Sequence, residues 1–212
     1  MAGKVSQPVF TVHQGNQTLV ITNEELQEFA EIHRLSRLIP GRYSDLLLVN
    51  LYTLERQGVP PEAVIREIEI LETGQASYMK PASPFRKKPL KGLWHKHFLV
   101  TFPSSMGHNI INQLGENGIK NAVKSALDPK KSDVITPEMI SDLVERIVSK
   151  PYEERFKSGK LTGEWLIYAP YNGVNYYLCL AGHLQNDHEI YQNVKNVCCR
   201  EFDWLNDFLE SN

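Results

Sequence analysis

No apolar run in this sequence approaches the roughly 18 residues that a membrane-crossing helix requires, and the opening residues lack the charged-then-apolar pattern of a secretory leader. A cytoplasmic protein with no membrane partner is therefore expected. Cysteine is scarce. Cys179, Cys198 and Cys199 are the only three, and two are adjacent, which excludes a disulfide framework and a CxxC metal knuckle. Neither GxxxxGK[ST] nor GxGxxG occurs, so the two common glycine-rich phosphate loops are excluded and nucleotide-driven phosphoryl transfer is disfavoured. A strong charge of one sign is also missing: 23 Lys and Arg face 25 Asp and Glu, for a net −2, which excludes a generally basic nucleic-acid coating protein. The 212 residues are 42% hydrophobic and 23% charged, close to the globular average, and this excludes a disordered chain or a coiled-coil rod.

What the chain does have is an uneven distribution of that charge. Residues 1–72 carry 6 basic and 10 acidic side chains, residues 73–115 carry 6 basic and none acidic, and residues 116–212 carry 11 basic and 15 acidic. The acid-free segment contains Lys80, Arg86, Lys87, Lys88, Lys91 and Lys96, together with His95, His97 and His108. Such a segment attracts anions, although a solvated basic loop would have the same composition.

Periodicity divides the chain into three parts. Alternation over Pro8–Ile21 with a polar break predicts a β-hairpin. Thr22 and Glu25 form a capping box, opening a helix that should run to Pro40-Gly41; further helices are expected over 43–57 and from Pro60-Pro61 to Gly74. Residues 1–74 thus read as a mainly helical module, and its helices are candidates for a protein partner or for self-association. Pro81, Pro84 and Pro89 among the basic residues predict a basic linker or an irregular wrapping segment over 75–91. Residues 92–212 read as an α+β domain. Gly92–Phe102 (GLWHKHFLVTF) suits a strand, two short helices interrupted by glycines should follow, and Thr136-Pro137 should open a helix with Ile140, Leu143, Val144 and Ile147 at helical spacing. Asn172-Gly173 between two alternating runs is a strong hairpin signal, and Asp187 can cap a final helix. The expected class is α+β, with at least three mainly antiparallel strands.

The candidate chemistry lies in the histidines. Alternate residues of a strand share a face, so His95 and His97 should lie side by side, with His183 at the end of a later strand. Imidazoles titrate near neutrality and can serve as acid and base when RNA is cleaved by attack of its own 2′-hydroxyl, a reaction needing neither metal nor cofactor. Lys96, or else Lys91 or the Arg86-Lys87-Lys88 cluster, would supply the cation that steadies the phosphorane; Lys80, Arg86, Lys87, Lys88 and Lys91 would hold the backbone, and Trp94 or tyrosines such as Tyr171, Tyr176 and Tyr177 would stack on a base. The first reading is accordingly a small metal-independent ribonuclease of toxin or defence type, acting on RNA. A second is a non-catalytic binding or regulatory protein that docks a nucleic acid or another polyanion, or an acidic partner, through the basic segment, with structural histidines. A third is a metal-dependent hydrolase using His95, His97 and His183 with a carboxylate such as Asp187.

Overall fold

A computed structural model describes residues 8–14, 17–99, 103–130, 132, 134–158, 160, 163–182 and 185–211. The fold is α+β. It contains a two-stranded antiparallel hairpin, β1 (Pro8–Gln14) and β2 (Gln17–Thr22), and a four-stranded sheet in the order β3-β4-β5-β6. The strands of the second sheet are β3 (Ser83–Pro84), β4 (Trp94–Phe98), β5 (Glu164–Tyr171) and β6 (Val174–Ala181). Among the described residues no helix is long and apolar enough to cross a membrane.

The described residues form two compact units. One draws on Met1–Gln75, Ala82–Lys96 and Glu164–Asn212; the other draws on Ala76–Pro81 and His97–Gly163. In the first unit the N-terminal helices cover the free edge of β6. The Ser44 N–H donates to the Tyr177 carbonyl at 3.0 Å and the Tyr177 N–H to the Arg42 carbonyl at 2.8 Å, while the Ser44 hydroxyl donates to the Leu178 carbonyl. The Leu180 N–H donates to Asn50 Oδ1 at 2.9 Å. These bonds satisfy backbone groups that an edge strand would otherwise leave open.

Within the first unit, helix α1 (Asn23–Ile32) opens with the capping box: the Thr22 hydroxyl accepts the Glu25 N–H, and the Glu25 carboxylate accepts the Thr22 N–H at 2.8 Å. The helix stops earlier than its apolar spacing suggested. Arg34 is left-handed at φ 60°, and the chain resumes as α2 (Leu35–Leu38), a turn that buries Leu35 and Ile39 completely. Helices α3 (Asp45–Arg56) and α4 (Glu62–Thr73) follow, capped by Ser44 and ended by Gly74 at φ 70°. Asn172 (φ 50°) and Gly173 (φ 81°) make the two-residue turn between β5 and β6. Helices α8 (Asp187–Asn196), α9 (Cys198–Glu201) and α10 (Leu205–Ser211) close the unit; the cap of α8 is Asn186, one residue before the expected Asp187. Their apolar faces bury Ile190, Val194, Cys198, Leu205 and Leu209 against Ile167, Ala169 and Leu178 of the hairpin.

The second unit is helical. Helix α5 (Pro103–Ala126) is two helices joined at Gly115 (φ 63°, ψ 172°), matching the interrupted pattern expected there. Helix α6 (Pro137–Val144), capped by Thr136, runs into a wide turn over Glu145–Ser149 and then α7 (Lys150–Lys157). The helix opened by Thr136-Pro137 is present, and its apolar residues Ile140 and Val144 are 45% and 49% exposed. Of the strand expected over Gly92–Phe102, residues 94–98 are extended, and 100–102 lie outside the described residues.

Candidate polyanion-binding turn and the histidine strand

The site begins with the chain between β3 and β4. The Phe85 N–H donates to the Leu93 carbonyl at 2.8 Å, and the Leu93 N–H to the Leu90 carbonyl at 3.1 Å, which closes residues 86–92 into a turn. Leu90 and Leu93 are both 0% exposed and belong to the same apolar cluster as Ile167, Leu178 and Ile190. Phe85 packs on that cluster. The residues between these anchors are charged. Arg86, Lys87, Lys88 and Lys91 are exposed, and none makes an ion pair with the described residues. A linker whose apolar residues are locked in a core, with its cations outside, has little chain entropy left to lose when it meets a ligand. The edge strand β3 is two residues long and contains Pro84, features that blunt an open edge against further pairing.

The remaining basic candidates are placed differently. Lys96 is 3% exposed, with Nζ 3.2 Å from Glu67 Oε2 on α4. It was expected to steady a phosphorane, but its ammonium is committed to a buried ion pair in which desolvation is offset by the facing carboxylate. Lys80 is exposed but belongs to the other unit. Trp94 is half-buried beside Tyr168, ring centroids 6.4 Å apart, so its ring is already part of the packing.

The two histidines of β4 have unlike surroundings. His95 is half-buried between aromatic rings, with centroids 4.7 Å from Phe85 and 5.2 Å from Trp165, and its Nε2 lies 3.3 Å from the Ser83 hydroxyl. His97 falls in the second unit and is 6% exposed. Its Nδ1 lies 2.8 Å from the Gly163 carbonyl oxygen and 3.4 Å from the Gly163 N, so the ring is held against the backbone of that residue. Gly163 is close for a reason: a Cβ there would stand 1.8 Å from the Phe98 carbonyl oxygen. His183 and the side chain of His108 lie outside the described residues. Among the described residues no group of three or more His, Cys, Asp or Glu side chains is arranged to hold a metal.

The thiols have the character of core groups. Cys179 and Cys198 are buried, and burial pushes the Cys179 thiol up to about 12 and raises that of Cys198, far from the thiolate a nucleophile needs. Tyr171 and Trp204 stack at 3.9 Å with a 2° interplanar angle, and Tyr176 meets Trp204 edge-on at 4.8 Å, fastening the β5–β6 turn to the C-terminal helices. Beneath the N-terminal helices, Glu72 accepts bonds from Arg42 Nη2 at 2.5 Å and from the Tyr177 hydroxyl at 2.7 Å. Burial works to raise this carboxyl, but the two bonds outweigh it and hold the group below its ordinary value.

Spacing in the sequence does not single out Leu90, which stands between Pro89 and Lys91, whereas Leu93 belongs to the segment read as a strand. The chain matches no protein-family model, no curated protein and no solved structure.

Proposed function

We propose that this protein is a non-catalytic binding module that docks a nucleic-acid strand on the turn formed by Arg86, Lys87, Lys88 and Lys91. The observation that carries the reading is the combination of four exposed cations that make no ion pair with the described residues and two leucine anchors that hold their backbone in the core. Phosphate neutralisation by such a turn is independent of base identity and releases counterions, so affinity falls with salt.

The geometry favours binding over hydrolysis. An acid–base pair must approach its substrate to about 3 Å. His97 is enclosed and holds a backbone carbonyl, and His95 is packed between two rings. A ribonuclease built on His95, His97 and His183 would show turnover lost, and affinity kept, on imidazole removal.

The test is fluorescence anisotropy with a labelled single-stranded RNA. Lys87→Gln with Lys88→Gln should weaken binding about equally for RNAs of different sequence, and His95→Gln should leave it unchanged. Binding that survives loss of both lysines would remove the reading.

A further inference from the structure

The second unit contains a cleft of about 410 Å³ that the proposed turn does not use. One wall is α5, which contributes Leu114, Ala122 and Asn121; the other is the wide turn and α7, which contribute Arg146, Lys150, Pro151 and Glu154. Its volume falls in the range of small-molecule sites.

The charged wall follows from local sequence. Proline has no N–H to continue the helix and crowds the carbonyl four residues back, so Pro151 disfavours a regular α-helix through this stretch. The chain widens instead, and the Lys150 N–H donates to the Glu145 carbonyl, five residues back. In an uninterrupted α-helix residues 146 and 154 would stand about 80° apart around the axis. More residues per turn reduce that angle, and Arg146, Lys150 and Glu154 all line the cleft.

Each of these charges is held in a way that leaves bonding capacity. Asp142 Oδ1 takes Arg146 Nε at 2.6 Å, which orients the guanidinium while its two terminal nitrogens make no bond to the described residues. Glu145 takes one bond from Lys150 Nζ at 3.0 Å, and an ammonium has three to give. Gln113 Nε2 donates to Glu154 Oε2 at 2.8 Å, leaving the other carboxylate oxygen. Arg146 and Lys150 side chains are 42% and 63% exposed, so both are open to a ligand from solvent. Two cations, one carboxylate, an amide at Asn121 and an apolar floor of Leu114, Ala122 and Pro151 complement an ammonium and a carboxylate joined by an apolar body.

We propose that this cleft binds a small amphipathic zwitterion of amino-acid type. Arg146 and Lys150 receive the carboxylate in charge-assisted hydrogen bonds, Glu154 receives the ammonium, and the aliphatic portion covers Leu114 and Pro151. The preference for a zwitterion over a bare anion comes from Glu154, together with Asp142 and Glu145, which pair with Arg146 and Lys150 and offset their charge toward a ligand carrying negative charge alone.

The experiment is titration of the full chain with L-leucine, followed by amide resonances in two-dimensional NMR. Saturable shifts are expected within residues 114–122 and 146–154, with affinity lowered about tenfold for leucinamide, which lacks the carboxylate, and for 4-methylpentanoate, which lacks the ammonium. Arg146→Gln and Lys150→Gln should each weaken leucine binding, and Glu154→Gln should abolish the preference for leucine over 4-methylpentanoate, with the rest of the spectrum unchanged. Absence of saturable shifts with leucine overturns the proposal. So does equal binding of 4-methylpentanoate or inorganic phosphate by the unaltered chain, which would make the cleft a simple anion site.

Discussion

A side chain at Gly163 would collide with the Phe98 carbonyl at 1.8 Å, and the Gly163 backbone holds the His97 ring, with its carbonyl oxygen 2.8 Å from Nδ1. Gly163→Ala should therefore cost about 3 kcal/mol, the upper range for overpacking, seen as a lowered urea midpoint. Lys96 and Glu67 carry a second prediction. Both are buried, so Lys96→Met alone should cost about 3–5 kcal/mol, while Lys96→Met with Glu67→Leu should recover most of that loss in the same denaturation measurement. A third concerns Glu201, whose Oε2 accepts the Asp45 N–H at the start of α3 at 2.9 Å. Loss of solvent around the carboxylate, added to by the Asp45 charge and opposed by that hydrogen bond, pushes it from 4.5 up to about 7. The folded chain then keeps a proton that the unfolded chain releases near 4.5, so this group favours folding at low pH and its contribution is lost as pH rises through about 7. Glu201→Gln should flatten the stability profile between those limits, measured by denaturation at a series of pH values. None of these three environments is legible in the sequence. An alternating strand tells which residues share a face but not whether both faces are covered, and β4 is covered enough to bury Lys96 and His97 together.

At the scale of elements the local rules hold well where they are local. The Thr22/Glu25 box, the Thr136 cap and the Asn172-Gly173 turn each satisfy backbone groups within four residues, and each was visible as a spacing. The wide turn before Pro151 was not, because an apolar stripe continues through Ile140, Leu143, Val144 and Ile147 whether or not the bonding shifts by one residue. The prolines of the basic turn point to a linker or an irregular wrapping segment without saying what holds it, and Leu90 and Leu93 fix it. Leu90→Ala removes an anchor and no charge. It should cost about 2–5 kcal/mol of stability and weaken RNA binding while leaving the salt dependence unchanged, since the same phosphates are neutralised; denaturation and anisotropy together check this.

For the whole molecule, the α+β class and the antiparallel sheets were available from the alternation of periods, but the partition into units was not. Which helices cover the edge of β6 depends on bonds between residues more than a hundred positions apart, such as Ser44 to Leu178 and Asn50 to Leu180. The small net charge of −2 similarly conceals an acid-free segment, and folding separates its cations into a buried pair member, Lys96, an exposed group at 86–91, and Lys80 in the second unit. The central claim is that this exposed group binds phosphates. It is tested most directly by the slope of log affinity against log salt for single-stranded RNA, measured for the native chain and for a variant with Arg86, Lys87, Lys88 and Lys91 changed to Gln. Four phosphate contacts predict a slope of about −3 for the native chain and near zero for the variant. Equal slopes for the two would contradict the account.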